Sequence, residues 1–221
     1  MRIVVVGTGT NIGKTHLGVA LVHALAGQGK SVCGIKPIES GVPANGVGVD
    51  AAALAEVSTF EVKPQLYALS DPVSPHLAAR RAGVTIEVGC VVDWVNEHAA
   101  AHWILIETAG GLLSPLGPGI TNLDLSNAVM PDLWILVGVD RLGVLHEIGA
   151  CQLALKNQSA RQARVMVVLQ SPETPDDSTG SNAEELVTLG IANVAFTMPR
   201  AEPASSQCQR VATQILESIA R

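Results

Sequence analysis

Several features are missing from this 221-residue chain, and each absence removes a class of function. No apolar stretch approaches the roughly 20 residues that a membrane-spanning helix needs. The start, Met1-Arg2 and then a short apolar run into glycine, is too short for a secretory leader. There is no block of Lys or Arg and the formal net charge is −6, which argues against nucleic acid or an anionic membrane as principal partner. Cys33, Cys90, Cys151 and Cys208 are scattered without Cys-x-x-Cys pairing, so buried free thiols are expected rather than disulfides or metal ligands. Repeats, low-complexity tracts and an internal linker are absent too. With 48% apolar residues, the chain is expected to be a cytoplasmic protein folded as one domain over residues 1–221.

What is present starts at the N-terminus. Ile3 to Val6 is an uninterrupted β-branched run, suited to a strand buried on both faces of a parallel sheet. It leads into Gly7-Thr-Gly-Thr-Asn-Ile-Gly13-Lys14-Thr15, where the glycines allow several N–H groups to point into one anion-binding concavity. Gly9, Thr10, Asn11, Ile12, Gly13, Lys14, Thr15 and His16 are therefore candidate phosphate-binding residues. Lys14 supplies a charge for the β- and γ-phosphates, and the Thr15 hydroxyl can ligate Mg²⁺. Leu17, Ala20, Leu21, Ala24 and Leu25 form one stripe of the helix expected over 17–26, whose positive end faces the phosphates. The loop is a variant form: counting back from Gly13, the usual first glycine position is Thr8, with Gly7 one residue further away.

Further strands are expected at 31–35, where Pro37 ends the run, and at 102–106, 132–139, 165–169 and 193–197. Helices are expected from Asp50, over 85–101, over 144–156 and over 205–219, with loops at 41–49 and 171–181. Strands alternating with helices predict a mostly parallel sheet covered on both faces. Ligands of such sheets sit at the carboxyl ends of the strands. Segments 7–14, 36–41, 107–116, 140–143 and 170–171 should therefore converge on one edge.

The chemistry at those ends is consistent with one site. Glu107 closes an apolar strand before Thr-Ala-Gly-Gly, the usual place for a second Mg²⁺ anchor beside Thr15. Asp50 is either a third oxygen donor or a helix cap. Lys36 could stabilise a transferring phosphoryl group or a carbamate. Ser40 could donate to substrate or simply close its turn, and His76 in Ser74-Pro75-His76 has a structural reading. The N–H groups of Gly143, Val144, Leu145 and His146, entering the helix after the fourth strand, suit a carboxylate.

Together Gly-Thr-Gly-Thr-Asn-Ile-Gly-Lys-Thr, Lys36-Pro-Ile-Glu-Ser-Gly41, the Asp50 helix, Ser74-Pro-His, Glu107-Thr-Ala-Gly-Gly-Leu-Leu-Ser-Pro-Leu116 and Leu142-Gly143 resemble the dethiobiotin synthetases, in order and spacing, over about residues 1–170. The resemblance implies a P-loop NTPase-like α/β fold with a mostly parallel sheet. It also implies an ATP-dependent ligase of biotin biosynthesis that carboxylates 7,8-diaminopelargonic acid with CO₂ and closes the ureido ring. By resemblance Lys14, Lys36 and Thr10 are catalytic, and Thr15, Asp50 and Glu107 hold Mg²⁺. Lys36, Ser40, Gly110 and Gly143 to His146 meet the diamine substrate, and Gln170 and Ser171 lie at the nucleobase. A homodimer is implied, with the substrate's carboxylate tail at the helix start of the partner subunit. The chain departs from the family pattern at Gly9, where Asp is frequent, and at Asn11, where Glu is frequent. Thr108 replaces a common Gly, His146-Glu147 the usual Asn-His, and Gln170-Ser171 lies where an Asn reads adenine. Glu147 is expected to repel the tail carboxylate.

Rival readings are weaker on the residues. Amide synthases of the cobyrinic-acid type usually append a glutamine amidotransferase domain with a nucleophilic Cys, for which there is no room. Partitioning and division-site ATPases carry an extra lysine at the position of Gly9. A paralogue of the same fold that phosphorylates a different carboxylate or carbamate is the other alternative.

Overall fold

The computed structural model describes residues 1–44, 46–158 and 164–219. The elements run β1 (Arg2–Gly7), α1 (Lys14–Gly27), β2 (Val32–Ile35), β3 (Ile38–Ser40), α2 (Val49–Glu56), β4 (Tyr67–Leu69), α3 (Pro75–Arg81), α4 (Val88–Asn96), β5 (Trp103–Glu107), β6 (Pro115–Gly117), β7 (Ile120–Thr121), α5 (Asn122–Ala128), β8 (Leu133–Val139), α6 (Val144–Gln158), β9 (Arg164–Gln170), α7 (Asn182–Thr188), β10 (Ala195–Met198) and α8 (Ser206–Ile219). Six strands form one sheet in the order β10-β9-β8-β1-β5-β2. Every pairing in it is parallel, so all carboxyl ends lie on one edge.

The period-2 geometry of a strand explains the uninterrupted apolar runs. Ile3 and Val5 of β1 point to a core shared with Leu17, Leu21 and Leu25 of α1, Leu54 of α2 and Ile215 of α8. Val4 and Val6 point the other way, toward Trp94 and Val95 of α4, Leu123 of α5, Ile148 of α6 and Leu186 of α7. The same division separates Ile135 from Trp134 and Leu136 on β8. Both faces of the central strands are buried, so their middles are apolar throughout. All of the predicted α1 stripe is buried, and Gly18 and Val22 join it. A Cβ on Gly18 would lie 3.0 Å from Leu54 Cδ2, so glycine is what lets α1 and α2 approach.

The expected strands are present within two residues of their ends, as are α6 and α8, while α1 begins three residues before its expected start. The periodicity over 85–101 produces the shorter α4, because the chain is extended at Glu87 before it and turns after Asn96. Small elements escaped the sequence reading: β3 pairs with β4 in a separate parallel ribbon, β6 with β7 in an antiparallel one, and α5 and α7 are seven residues each. Position 45 of the expected 41–49 loop lies outside the described residues. All four cysteines are free, as expected, but only Cys33 and Cys208 are buried; Cys90 is exposed, since it lies on the outer side of α4. Among the described residues no helix is long and apolar enough to cross a membrane.

Candidate active site

The loop from β1 to α1 owes its shape to left-handed backbone at Asn11 (φ 57°) and Gly13 (φ 94°). Asn tolerates this region better than most residues, and Gly without cost. A Cβ on Gly7 would fall 2.3 Å from Ile12 Cδ1, so glycine there lets the Ile12 side chain fold against the first turn. Its outer wall is the loop after β5. Leu112 N donates to Gly7 O at 2.7 Å, and Asn122 Nδ2 holds that wall by donating to Ala109 O (2.6 Å) and Gly111 O (2.8 Å). Gly110, at φ 81°, stands next to Thr10, whose Oγ1 would be 3.7 Å from a Cβ there.

Four charged groups meet at the end of β5. Lys36 Nζ donates to Glu107 Oε1 at 2.7 Å and also to Asp50 Oδ2. Thr15 Oγ1 donates to Glu107 Oε1 at 2.9 Å. Glu107 Oε2 is buried with no partner among the described residues. Lys14 folds back so that Nζ donates to Gly9 O at 2.8 Å. Burial pulls Lys14 down to about 8, opposed by Glu107. Burial also works against the Lys36 charge, but Glu107 and Asp50 outweigh it and hold that ammonium above its ordinary value. Complete burial pushes the Glu107 carboxyl up, against the pull of Lys36. A buried charge cluster of this kind rarely stabilises a fold on balance, which marks it as functional rather than structural.

The remaining strand ends lie on the same edge. Beside the phosphate loop runs a groove of about 620 Å³ lined by residues that include Asn11, Gly13, His16, Gln170, Ser171 and Arg200. Gln170 donates through Nε2 to Met198 O and Pro199 O, both 3.3 Å. This leaves its Oε1 buried without a partner among the described residues. His16 is tied to Ala201 O at 2.6 Å. Ser40 Oγ is likewise buried and unpartnered among them.

This geometry has relatives. A family model described as an AAA domain matches residues 1–206. The fold is similar to a septum site-determining MinD with Mg-ADP from Pyrococcus horikoshii (TM-score 0.61, 16% identity, 100% of this chain, 96% of that one). It is also similar to a ParA family ATPase from Chlorobium tepidum (TM-score 0.56, 13% identity, 100% and 92%). An ATP-dependent dethiobiotin synthetase of Caulobacter sp. (strain K31) is 35% identical over 208 residues, covering 90% of this chain and 87% of the relative. The chain belongs to the dethiobiotin synthetase family. A second such synthetase, of Nitrosospira multiformis, is 36% identical over 162 residues, 68% of this chain and 71% of the relative.

In this dethiobiotin synthetase family member, Lys14, Thr15, Lys36, Asp50 and Glu107 come together, as do Thr10 with Gly110 and Gln170 with Gly13. The segment from Gly143 to His146 stands apart from that charge cluster. Val144 is wholly buried and its N–H donates to Arg141 O at 3.1 Å, so neither its side chain nor that donor faces outward. Glu147, expected to repel the tail carboxylate, has two partners within the chain. Thr8 Oγ1 donates to it at 3.0 Å and Arg141 pairs with it at 3.1 Å, while its side chain stays about a third exposed (32%). Glu39, Gln65, Asn122 and Arg141 were not singled out from sequence. Each acts through contacts 6 to 29 residues away along the chain, which leave no local pattern.

Proposed function

We propose that the protein is an ATP-dependent ligase that converts 7,8-diaminopelargonic acid and CO₂ to dethiobiotin, with ADP and phosphate as co-products. The observation carrying this reading is the Lys14, Lys36, Asp50, Glu107 and Thr15 cluster beside the phosphate loop, in a chain with dethiobiotin synthetase relatives. One domain over residues 1–221 is proposed to carry the whole activity.

In this reading one substrate amine captures CO₂ as a carbamate. Lys14 and the loop N–H groups hold the phosphates, while Lys36 leaves its carboxylates to stabilise the carbamate and the phosphoryl group passing to it. The second amine then attacks the carbonyl of the phosphorylated carbamate and expels phosphate, closing the ring. Thr10, Gly110 and Ser40 are assigned to the reacting end of the diamine; the unpartnered Ser40 hydroxyl can donate to the carbamate.

Mg²⁺ fits the residues. Among the described residues no three His, Cys, Asp or Glu side chains converge on a metal position. Mg²⁺, however, is commonly held by one or two carboxylates completed by phosphate oxygens and water. The orphaned Glu107 Oε2, Asp50 and the Thr15 hydroxyl supply that donor set. When bound, the ion neutralises charge on the transferring phosphoryl group.

Gln170 and Ser171 are proposed to line the base. With the Gln170 amide nitrogen occupied, its free oxygen favours a base that presents an amine, as adenine does. A homodimer is proposed to complete the substrate site: Leu113 and Leu142 are 55% and 77% exposed in loops on the same sheet edge, and the substrate tail would reach Gly143, Leu145 and His146 of the partner subunit.

The test is phosphate release from Mg-ATP and bicarbonate with and without the diamine, the product being identified by mass. Diamine-dependent dethiobiotin that disappears in Lys36→Ala is expected. ATP binding without diamine-dependent turnover, with CTP and GTP equally inert, overturns the reading.

A further inference from the structure

One buried carboxylate next to the charge cluster has no part in the chemistry above. Glu39, on β3, is 7% exposed. Its Oε1 accepts the Asp50 N–H and its Oε2 the Ala51 N–H, each at 3.0 Å. Gln65 Nε2 donates to Glu39 Oε2 at 3.3 Å and to the Lys36 carbonyl at 2.9 Å. The N-cap of α2, Gly48, has no side chain, and a Cβ there would lie 2.2 Å from Glu39 Oε2.

Helix N-termini are ordinarily capped by the cap residue's own Ser, Thr, Asp or Asn, worth about 1 kcal/mol. Burying a carboxylate from another strand to do the same work costs more desolvation than such a cap returns. What Glu39 adds is a tie. It links the β2–β3 segment, which carries Lys36, to the first turn of α2, which carries Asp50. Gln65 closes the same link from the Lys36 carbonyl. Two backbone bonds to one carboxylate fix both the axial position and the rotation of that turn, and with them the direction of the Asp50 side chain.

We propose that Glu39 is a positioning residue that holds Asp50 in register with Lys36 and Glu107 for binding a divalent cation. The proposal rests on the reading of Asp50 as a metal-side carboxylate. The direct measurement is Mn²⁺ binding to the full chain with a non-hydrolysable ATP analogue, followed by electron paramagnetic resonance, alongside thermal melts and metal-free nucleotide affinity. Glu39→Ala should weaken Mn²⁺ binding about tenfold, as loss of a group supporting a metal ligand typically does. Gly48→Ala, which displaces the carboxylate without removing it, should do likewise, and Glu39→Gln, which keeps one acceptor, should fall between. Metal-free nucleotide affinity should be unchanged in all three. Parental Mn²⁺ affinity in Glu39→Ala, with Asp50→Ala weakened, overturns the proposal; should Glu39→Ala not fold, parental affinity in both Gly48→Ala and Glu39→Gln does so. Parental affinity in Asp50→Ala overturns the metal reading itself.

Discussion

Two acids close apolar strands on the same edge of this sheet, Glu107 at the end of β5 and Asp140 directly after β8, and each is 1% exposed. Their surroundings are opposite. Asp140 accepts from Gly180 N at 2.9 Å and Asn182 Nδ2 at 2.8 Å, while its carbonyl accepts from Thr179 Oγ1 at 3.0 Å. It pins the 171–181 loop to the sheet, and each of its carboxylate oxygens has a neutral donor. Glu107 has both of its hydrogen bonds on one oxygen and none on the other among the described residues. A buried acid with both oxygens answered by the fold reads as structural, whereas one held half-answered beside two lysines points to a ligand.

Substitutions that remove the charge but keep the shape sharpen this contrast. Glu107→Gln should lower kcat/KM by about 10³-fold, because in the proposed reading Glu107 anchors the Mg²⁺ that would offset charge on the transferring phosphoryl group. Its urea stability should stay at or above the parent's, because complete burial already works against that charge. A comparable loss of stability would place Glu107 with Asp140. Asp140→Asn turns an amide toward either the Gly180 N–H or the Asn182 amide and should cost about 2 kcal/mol in urea unfolding, with kcat/KM of the folded enzyme nearly unchanged. A large fall in kcat/KM at parental stability would break the comparison.

Gln170→Ala removes one uncharged acceptor from the groove beside the phosphate loop. The KM for ATP should rise about fivefold, an effect near 1 kcal/mol, and ATP should lose its advantage over GTP, while kcat holds. The smallest effect concerns His98, wholly buried and remote from this edge. Lys63 N donates to its Nε2 at 3.1 Å, and Nδ1 lies 3.0 Å from Trp94 O, which fixes the neutral ring. Burial lowers its pKa below the ordinary 6.5. The unfolded chain therefore takes up the proton first. The stability contributed is full above about pH 6.5 and is lost as pH falls through the folded value. His98→Gln should flatten that part of the urea-stability profile; an unchanged profile would assign the dependence to another group.

The main sheet was legible because both faces of its central strands are buried, so each of those reads as an apolar run bounded by turns. The ribbons β3–β4 and β6–β7 were not, because strands of two or three residues carry too little pattern and depend on distant partners. Lys14, Thr15, Lys36 and Glu107 could be picked out because strand ends in a parallel sheet face one edge. Asp50 stayed ambiguous between helix cap and ligand. The fold removes the cap reading, since Glu39 takes the N–H groups of the first turn and the Asp50 carboxylate is turned to Lys36.

The succession of strands and helices along the chain, the phosphate loop and the residue types at the strand ends belong to the sequence alone, because they follow from local periodicity and backbone freedom. Tertiary structure decided which buried acid is answered and which is left open. It decided that Glu147 turns toward Thr8 and Arg141, and that Glu39 reaches α2 from another strand. Hydrogen-bond partners are chosen by proximity in space, and nothing in the spacing of residues along a chain records the neighbours a fold will bring to each oxygen.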